Sequence, residues 1–249
     1  MDFFPIPAPA FEGRSHTVGL DAVFAWLRLG WNLFMSNPGV WVVSTVILIA
    51  GSCALMIVPL LGPLLAILLA PVLTAGLLAM CRKAAGGETI TLSDLSIGFT
   101  TRTTPLILLG VIFMLAMLLI HVFVLVALLL SGSMAGGLLA LGAIGIGILL
   151  GGGSLIALAL SSLLFIPLWM AMWFAPALVF FNDMPPLKAC KASFAACLKN
   201  IPSFLIFGLI VFVLSFFAVL PMMGLGFLVL VPVLAGTAYA SYQDVFVAH

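Results

Sequence analysis

Three long stretches of this chain, residues 29–81, 103–182 and 200–243, contain no Asp, Glu, Lys or Arg. In water such runs collapse and aggregate; in a bilayer, about 20 consecutive apolar residues are what one helix needs to cross the hydrocarbon. A transmembrane β-barrel is excluded by pattern, because its strands alternate apolar and polar residues and these runs do not. The chain reads as an all-α integral membrane protein. Charged residues make up 6% of it, far below the roughly 25% of soluble domains. A net charge of +1 gives no case for a nucleic-acid partner, since phosphate binding needs clustered cations. The lipid bilayer is the partner that composition demands.

Proline marks a pattern that recurs three times. Pro59 and Gly62 precede Pro71-Val72-Leu73, Pro167 precedes Pro176-Ala177-Leu178, and Pro221 and Gly224 precede Pro232-Val233-Leu234. Each set marks the second helix of an apolar pair. A polar-faced segment precedes each pair, ending at Asn37-Pro38, Thr104-Pro105 and Asn200-Ile201-Pro202. Proline stops one helix there and starts the next, where its missing N–H goes unused.

The leading segments are amphipathic at helical spacing. In the first, Asp21, Ala25, Arg28, Asn32 and Ser36 share one face, and Leu20, Phe24, Leu27, Trp31 and Phe34 lie on another. In the third, Lys188, Lys191 and Lys199 oppose Cys190, Phe194, Cys197 and Ile201. In the middle, Thr91-x-x-Asp94 resembles a helix-start box, and Leu92, Leu95 and Phe99 form an apolar stripe. Such segments are expected to lie flat at the membrane surface with their cations among headgroups, bracing the bundle, with specific lipid sensing as the alternative.

Six spans are expected, at residues 39–58, 64–81, 105–130, 154–180, 202–220 and 225–243. The cations fall in three groups: Arg14 and Arg28; Arg82, Lys83 and Arg102; Lys188, Lys191 and Lys199. All three lie on one side of that layout, so the positive-inside rule puts both termini in the cytoplasm. The resulting organisation is a Pro-rich cytoplasmic tail (1–16), a single transmembrane domain (17–243) of three repeated units at 17–81, 88–181 and 185–243, and a short C-terminal tail (244–249). Each unit is a surface helix plus a helical hairpin. The glycine-rich stretch 131–153 is long enough to span, but a seventh helix would put Lys188–Lys199 outside. It is expected to form an outer re-entrant or helix-extending hairpin, with Gly132, Gly136, Gly147 and Gly151 as helix-packing positions.

Candidate sites are sparse. Gly142, Gly145 and Gly147 resemble a phosphate-binding loop only in spacing, with no Lys-Ser/Thr and no strand–helix context. His121 is the one ionisable residue deep in a span, and such residues are often functional. It is read as a neutral imidazole hydrogen-bonded to a neighbouring helix, with a proton relay or the binding of a cofactor, a haem iron, as the alternatives. Asn182-Asp183-Met184-Pro185-Pro186 is read as a turn and cap, or else a gating hinge. Trp169, Trp173 and Phe174 are expected to face lipid or other helices. Cys53, Cys81, Cys190 and Cys197 form no C-x-x-C pair; Cys190 and Cys197 would sit about 10 Å apart on a helix, too far for a disulfide. No catalytic constellation, metal motif or cofactor is called for. Arg28, Arg82, Lys83, Arg102, Lys188, Lys191 and Lys199 are the candidates for contact with lipid headgroups or a partner.

The run Trp26-Leu-Arg-Leu-Gly-Trp-Asn-Leu-Phe34, the run Ala175 to Pro186 and the motif Ser193-Phe-x-x-Cys197-Leu-Lys-Asn200 resemble a family of uncharacterised proteobacterial inner-membrane proteins of six spans. The chain is similar to its YciC-like group and, more distantly, to the membrane domain fused to some glycerophosphodiester phosphodiesterases. The resemblance implies a multi-pass protein of the bacterial inner membrane. It transfers no activity, and the phosphodiesterase domain itself is missing. The function expected is that of a non-catalytic accessory, scaffold or assembly subunit that packs against another membrane protein or itself. The alternative is a transporter or lipid-handling channel for a hydrophobic substrate, and a haem or quinone redox role would rest on His121 alone.

Overall fold

A computed structural model describes residues 15–59, 61–130, 153–219 and 224–247. The tail up to residue 14 and the stretch holding Gly132, Gly136, Gly147 and Gly151 lie outside them. Among the described residues there is no strand, and the elements in order are α1 (Ala22–Ser36), α2 (Pro38–Met56) and α3 (Leu61–Ala85). A 3-10 turn (Leu92–Ser96) then runs into the short α4 (Ile97–Thr100), followed by α5 (Thr103–Leu130), α6 (Gly153–Trp173) and α7 (Ala175–Asn182). The chain ends with α8 (Pro186–Lys199), α9 (Ile201–Val219) and α10 (Phe227–Phe246).

Local chemistry fixes the boundaries. Asn37 ends α1 and caps α2, its side-chain oxygen accepting from the Val40 N–H at 3.4 Å with Pro38 in the first turn. Asp183 ends α7 in a left-handed conformation (φ 54°), which Asp tolerates better than most residues. The Met184 N–H then folds back onto the Leu178 carbonyl at 3.2 Å, closing the α7–α8 turn. Pro71, Pro167 and Pro232 sit inside α3, α6 and α10.

Among the described residues five helical stretches are long and apolar enough to cross a membrane: Pro38–Met56, Leu61–Ala85, Thr103–Val126, Ser161–Asn182 and Ile201–Val219. The segment expected as the sixth span forms a helix, α10, but its second half is too polar to meet the same measure. Thr237, Tyr239, Ser241 and Tyr242 are all buried there, so protein rather than lipid surrounds that half. α5 and α6 run antiparallel: Phe113 meets Trp169 edge-on with ring centroids 5.9 Å apart, and His121 meets Phe165 at 5.5 Å. At their far end Arg102 pairs with Asp183. α5 therefore leaves the cation-bearing end and α6–α7 returns to it, which keeps Lys188–Lys199 level with the other cations.

Burial divides the molecule along its length. Trp41, Met80, Phe174, Tyr242 and Phe246 are fully enclosed near the cation-bearing end. Away from that end, Leu119, Leu163, Leu209 and Phe212 are 64 to 71% exposed. Such a surface is untenable in water and ordinary in hydrocarbon.

The surface segments do not stand apart from the bundle. Each packs along a spanning or near-spanning helix, and small residues set the contact. The α4 region lies on α3, where a Cβ on Gly76 would strike the Leu95 backbone and one on Gly98 the Val72 carbonyl. α8 doubles back on α6–α7 through buried Ala189, Ser193, Ala196 and Cys197. α1 crosses α10 where Gly30 and Gly236 touch backbone to backbone. The two-sided pattern expected for α1 becomes three-sided. Val23, Trp26, Gly30, Leu33 and Phe34 turn inward, while Leu20, Phe24 and Trp31 remain exposed and apolar. Replacing Gly30 with Ala puts a methyl against the Val233 carbonyl and the Thr237 backbone. This Gly30→Ala change should lower stability by about 1–3 kcal/mol, read as an earlier unfolding midpoint in detergent, whereas Gly39→Ala, which meets nothing within 4 Å, should leave it unmoved.

Candidate functional site

The cation-bearing end gathers nearly all the polar chemistry of the described residues. Its centre is Arg82, in the last turn of α3, where a cation favours the negative end of the helix dipole. Arg82 is 7% exposed, and its guanidinium carbon lies 5.4 Å over the Phe181 ring. An aromatic face offsets part of the cost of removing that charge from water. Beside it, the Tyr242 hydroxyl donates to the Asn182 side-chain oxygen at 2.7 Å, and Gln243 donates to the Tyr239 hydroxyl at 2.9 Å. Together these contacts join the ends of α3, α7 and α10.

Two ion pairs flank this cluster. Lys83 reaches Asp94 at 2.6 Å. Asp94 also accepts from the Thr91 N–H at 2.8 Å and the Thr91 hydroxyl at 3.0 Å, the helix-start box read from the sequence. Burial alone would raise the Asp94 carboxyl, but the Lys83 ammonium and the Thr91 donors outweigh it and hold it below the usual carboxylate value. Arg102 and Asp183 form the second pair. Both have positive φ, 94° and 54°, so each turn that presents its charge is locally strained. At 41% and 63% exposure this pair contributes at most about 1 kcal/mol. Asp183 thus serves a turn and a partner helix rather than the start of α8.

A third group ties the chain's beginning to its end. Asn200, 2% exposed, accepts from the Val18 N–H at 2.8 Å and donates to the His16 and Ala196 carbonyls at 2.9 Å each. Ser203 donates to the Val18 carbonyl at 3.2 Å, and the Lys199 ammonium reaches the Ser15 carbonyl at 3.3 Å. The His16 N–H donates to the Val245 carbonyl at 2.8 Å, and the Trp26 indole N–H to Asp244 at 2.8 Å. The Trp26 and Trp173 rings meet Phe204 and Phe207 edge-on or tilted.

Ser193 performs the most specific repair. The α6–α7 helix breaks at Phe174, ahead of Pro176, whose ring and missing N–H disrupt the ladder. Its hydroxyl accepts from the Phe174 N–H at 3.0 Å and donates to the Met170 carbonyl at 2.7 Å, standing between the two groups that a continuous helix would join directly. The Cys197 thiol reaches the same carbonyl at 3.5 Å. Burial pushes the Cys190 thiol up to about 11 and the Cys197 thiol up to about 12, so both are protonated at neutral pH.

Of the seven candidate contact residues, the structure brings Arg82, Lys83, Arg102 and Lys199 into these clusters, while Arg28, Lys188 and Lys191 are exposed on α1 and α8. His121 is not joined to a neighbouring helix by its hydrogen bond. Its Nδ1 donates to the Met117 carbonyl of its own helix at 2.7 Å. Trp169 is 61% exposed, whereas Phe174 is buried at 1%. Among the described residues no three His, Cys, Asp or Glu side chains converge as a metal site would require. The sequence assigned no role to Asn200, Ser193, Tyr242 or the Trp26–Asp244 pair; Asn200 had a local signal as a polar residue at the α8–α9 boundary, whereas Ser193, Tyr242 and Trp26 lie inside helices and had none.

Two outcomes follow for stability in detergent. Ser193→Ala leaves the buried Phe174 N–H unpaired and the Met170 carbonyl with only the weak Cys197 thiol donor, and should cost about 1–3 kcal/mol, against little for Ser52→Ala on the exposed face of α2. Asp94 has a lowered folded-state value, so its contribution is present above the unfolded carboxylate value near 3.9 and vanishes as pH falls through the folded one. The stability gap between the native chain and Asp94→Asn should accordingly be wide at pH 7 and close progressively in titrations below about pH 4.

Comparison with known proteins places this architecture. No family model and no solved structure matches the chain. The chain is 30% identical over 196 residues to a "Probable inner membrane protein" of Burkholderia thailandensis, an alignment covering 77% of this chain and 73% of that one. Shared sequence over that span, together with five membrane-capable helices, identifies a multi-pass protein of the bacterial inner membrane, and the chain belongs to the same family as this Burkholderia protein.

Proposed function

We propose that the protein is a non-catalytic accessory, scaffold or assembly subunit of a larger membrane complex. In this reading it crosses the inner membrane six times as three repeated units, with both termini and the cation-bearing end in the cytoplasm. The observation that carries it is where the polar groups go. Arg82, Asn182, Ser193, Asn200 and Tyr242 fasten helix ends to one another, and the charge-free runs leave the spans without the carboxylates and ammoniums that coupled transport or acid–base chemistry uses. The lateral faces are large and apolar, with Leu205, Leu209, Phe212 and Phe216 in one column along α9. Such a column suits a neighbouring membrane helix.

Three features support six crossings. α10 is long enough to span at 20 residues, its polar half is sheathed by protein, and its C-terminal end meets the ends of α3 and α7. The resemblance to the YciC-like group fits the same layout.

Gentle solubilisation of native membranes followed by size-resolved mass spectrometry should recover the chain in a fixed ratio with one other membrane protein or with itself. Recovery as a lone monomer under every mild detergent would sink the scaffold reading. Topology has its own test: a cysteine at Lys188, in a chain lacking its native cysteines, should react with a membrane-impermeant maleimide only after the cytoplasmic face is opened. Labelling in intact spheroplasts would reverse the orientation.

A further inference from the structure

The three-sided form of α1 recurs on the other two surface segments. At about 100° per residue, the inward face of α1 (Val23, Trp26, Gly30, Leu33) is one sector. A second, exposed and polar, carries Asp21, Arg28 and Asn32, and a third, exposed and apolar, carries Leu20, Phe24, Trp31 and Met35. On α8 the inward sector is Ala189, Ser193, Ala196 and Cys197; the polar one carries Lys188, Lys191 and Lys199; the exposed apolar one carries Leu187 and Leu198. The middle segment repeats the division in miniature: Leu95 and Gly98 inward, Ser93, Ser96 and Thr100 polar and exposed, Leu92 and Phe99 apolar and exposed. A helix resting on protein and otherwise bathed in water has no use for the apolar exposed sector, and one sunk in hydrocarbon has none for the polar one. Only a position at the boundary between the two satisfies all three.

We propose that these outer sectors are lipid-binding faces seated at the headgroup–acyl boundary, and that Lys188, Lys191 and Arg28 bind anionic phospholipid headgroups there. Continuity with the lipid-facing surface favours lipid as the occupant. Leu198 and Ile201 lead directly into the exposed column of Leu205, Leu209 and Phe212 on α9, as Met35 leads into Val43 and Val46 on α2. Charge completes the argument. Asp94 is taken by Lys83 and Asp183 by Arg102; Asp21 shares the polar sector of α1 with Arg28 but lies two helical turns before it, about 10 Å away, and Lys188, Lys191 and Arg28 stand exposed beside the apolar sectors. Their long stems reach from apolar surface to headgroup phosphate. The proposal is independent of the scaffold reading and of which side of the membrane this end occupies, since it concerns only depth and headgroup charge.

The full chain in phosphatidylcholine vesicles, probed with spin-labelled phosphatidylglycerol or spin-labelled phosphatidylcholine, tests the charge. The phosphatidylglycerol label should be preferentially immobilised. That preference should fall about fivefold for each lysine replaced in Lys188→Gln and Lys191→Gln, the factor corresponding to about 1 kcal/mol per basic residue at an anionic surface. It should persist in Lys188→Arg with Lys191→Arg, and fade as salt shortens the screening length. Equal immobilisation of the two labels by the native chain, or an undiminished preference in the double Gln variant, overturns the proposal. A nitroxide on Trp31→Cys reads depth: it should be reached comparably by oxygen from the acyl region and by a water-soluble nickel complex. Access to the nickel complex alone, or dipolar broadening from a second copy or burial under a protein partner, equally overturns it.

Discussion

Hydrocarbon offers no partner for a backbone N–H or carbonyl, so every backbone polar group at membrane depth must be answered from within the protein. This requirement explains why the chain is helical throughout its described length and why its side-chain hydrogen bonds cluster at one end. It also explains the form of the repairs. Where Pro176 interrupts the ladder, Ser193 from the adjoining helix supplies both the acceptor and the donor that the break removed. Where His121 falls in a span, it donates to a carbonyl one turn earlier on its own helix. Thr45, Ser52, Thr74 and Thr237 do the same with their own helices.

The same requirement divides the molecule into two regimes. Towards the cation-bearing end the helices pack as in a soluble core, with Trp41, Phe174, Tyr242 and Phe246 enclosed and glycines letting backbones touch at Gly30 and Gly236. Further along, the side chains are large, apolar and exposed, because lipid tails solvate Phe and Leu as well as another helix would. Specific packing is therefore concentrated where water is near, and there the hydrophobic effect again favours closing surfaces together.

The physics of the bilayer also sets what the sequence could disclose. Five of the six expected spans, the boundary prolines and the Thr91–Asp94 box were legible because each depends on neighbours a few residues away. The inward face of α1 was not. Periodicity separates apolar from polar residues, but Phe34 and Phe24 look alike when core and lipid are equally apolar; the structure buries the first and exposes the second. Long-range partnerships were hidden for a different reason. Asn200 grips residues 182 and 184 positions away, and Arg102 meets Asp183 across an entire hairpin. Such pairs arise only once the topology is known. The polarity of the second half of α10 was visible but had no local explanation, since its cause is the protein that surrounds it.

The contact between α1 and α10 joins the first and the last of the described helices. In a growing polypeptide, α1 emerges with Trp26 and Gly30 facing a site that will not exist until some 200 residues more have been made. Long sequence separation of this kind delays closure, since the intervening chain must be ordered before the contact rewards it. The interior is thus closed only after the intervening helices have been made. Without α10 the Trp26 indole lacks its acceptor and Val23 lacks the strip that covers it, so apolar surface that the finished molecule encloses stays open until that helix docks.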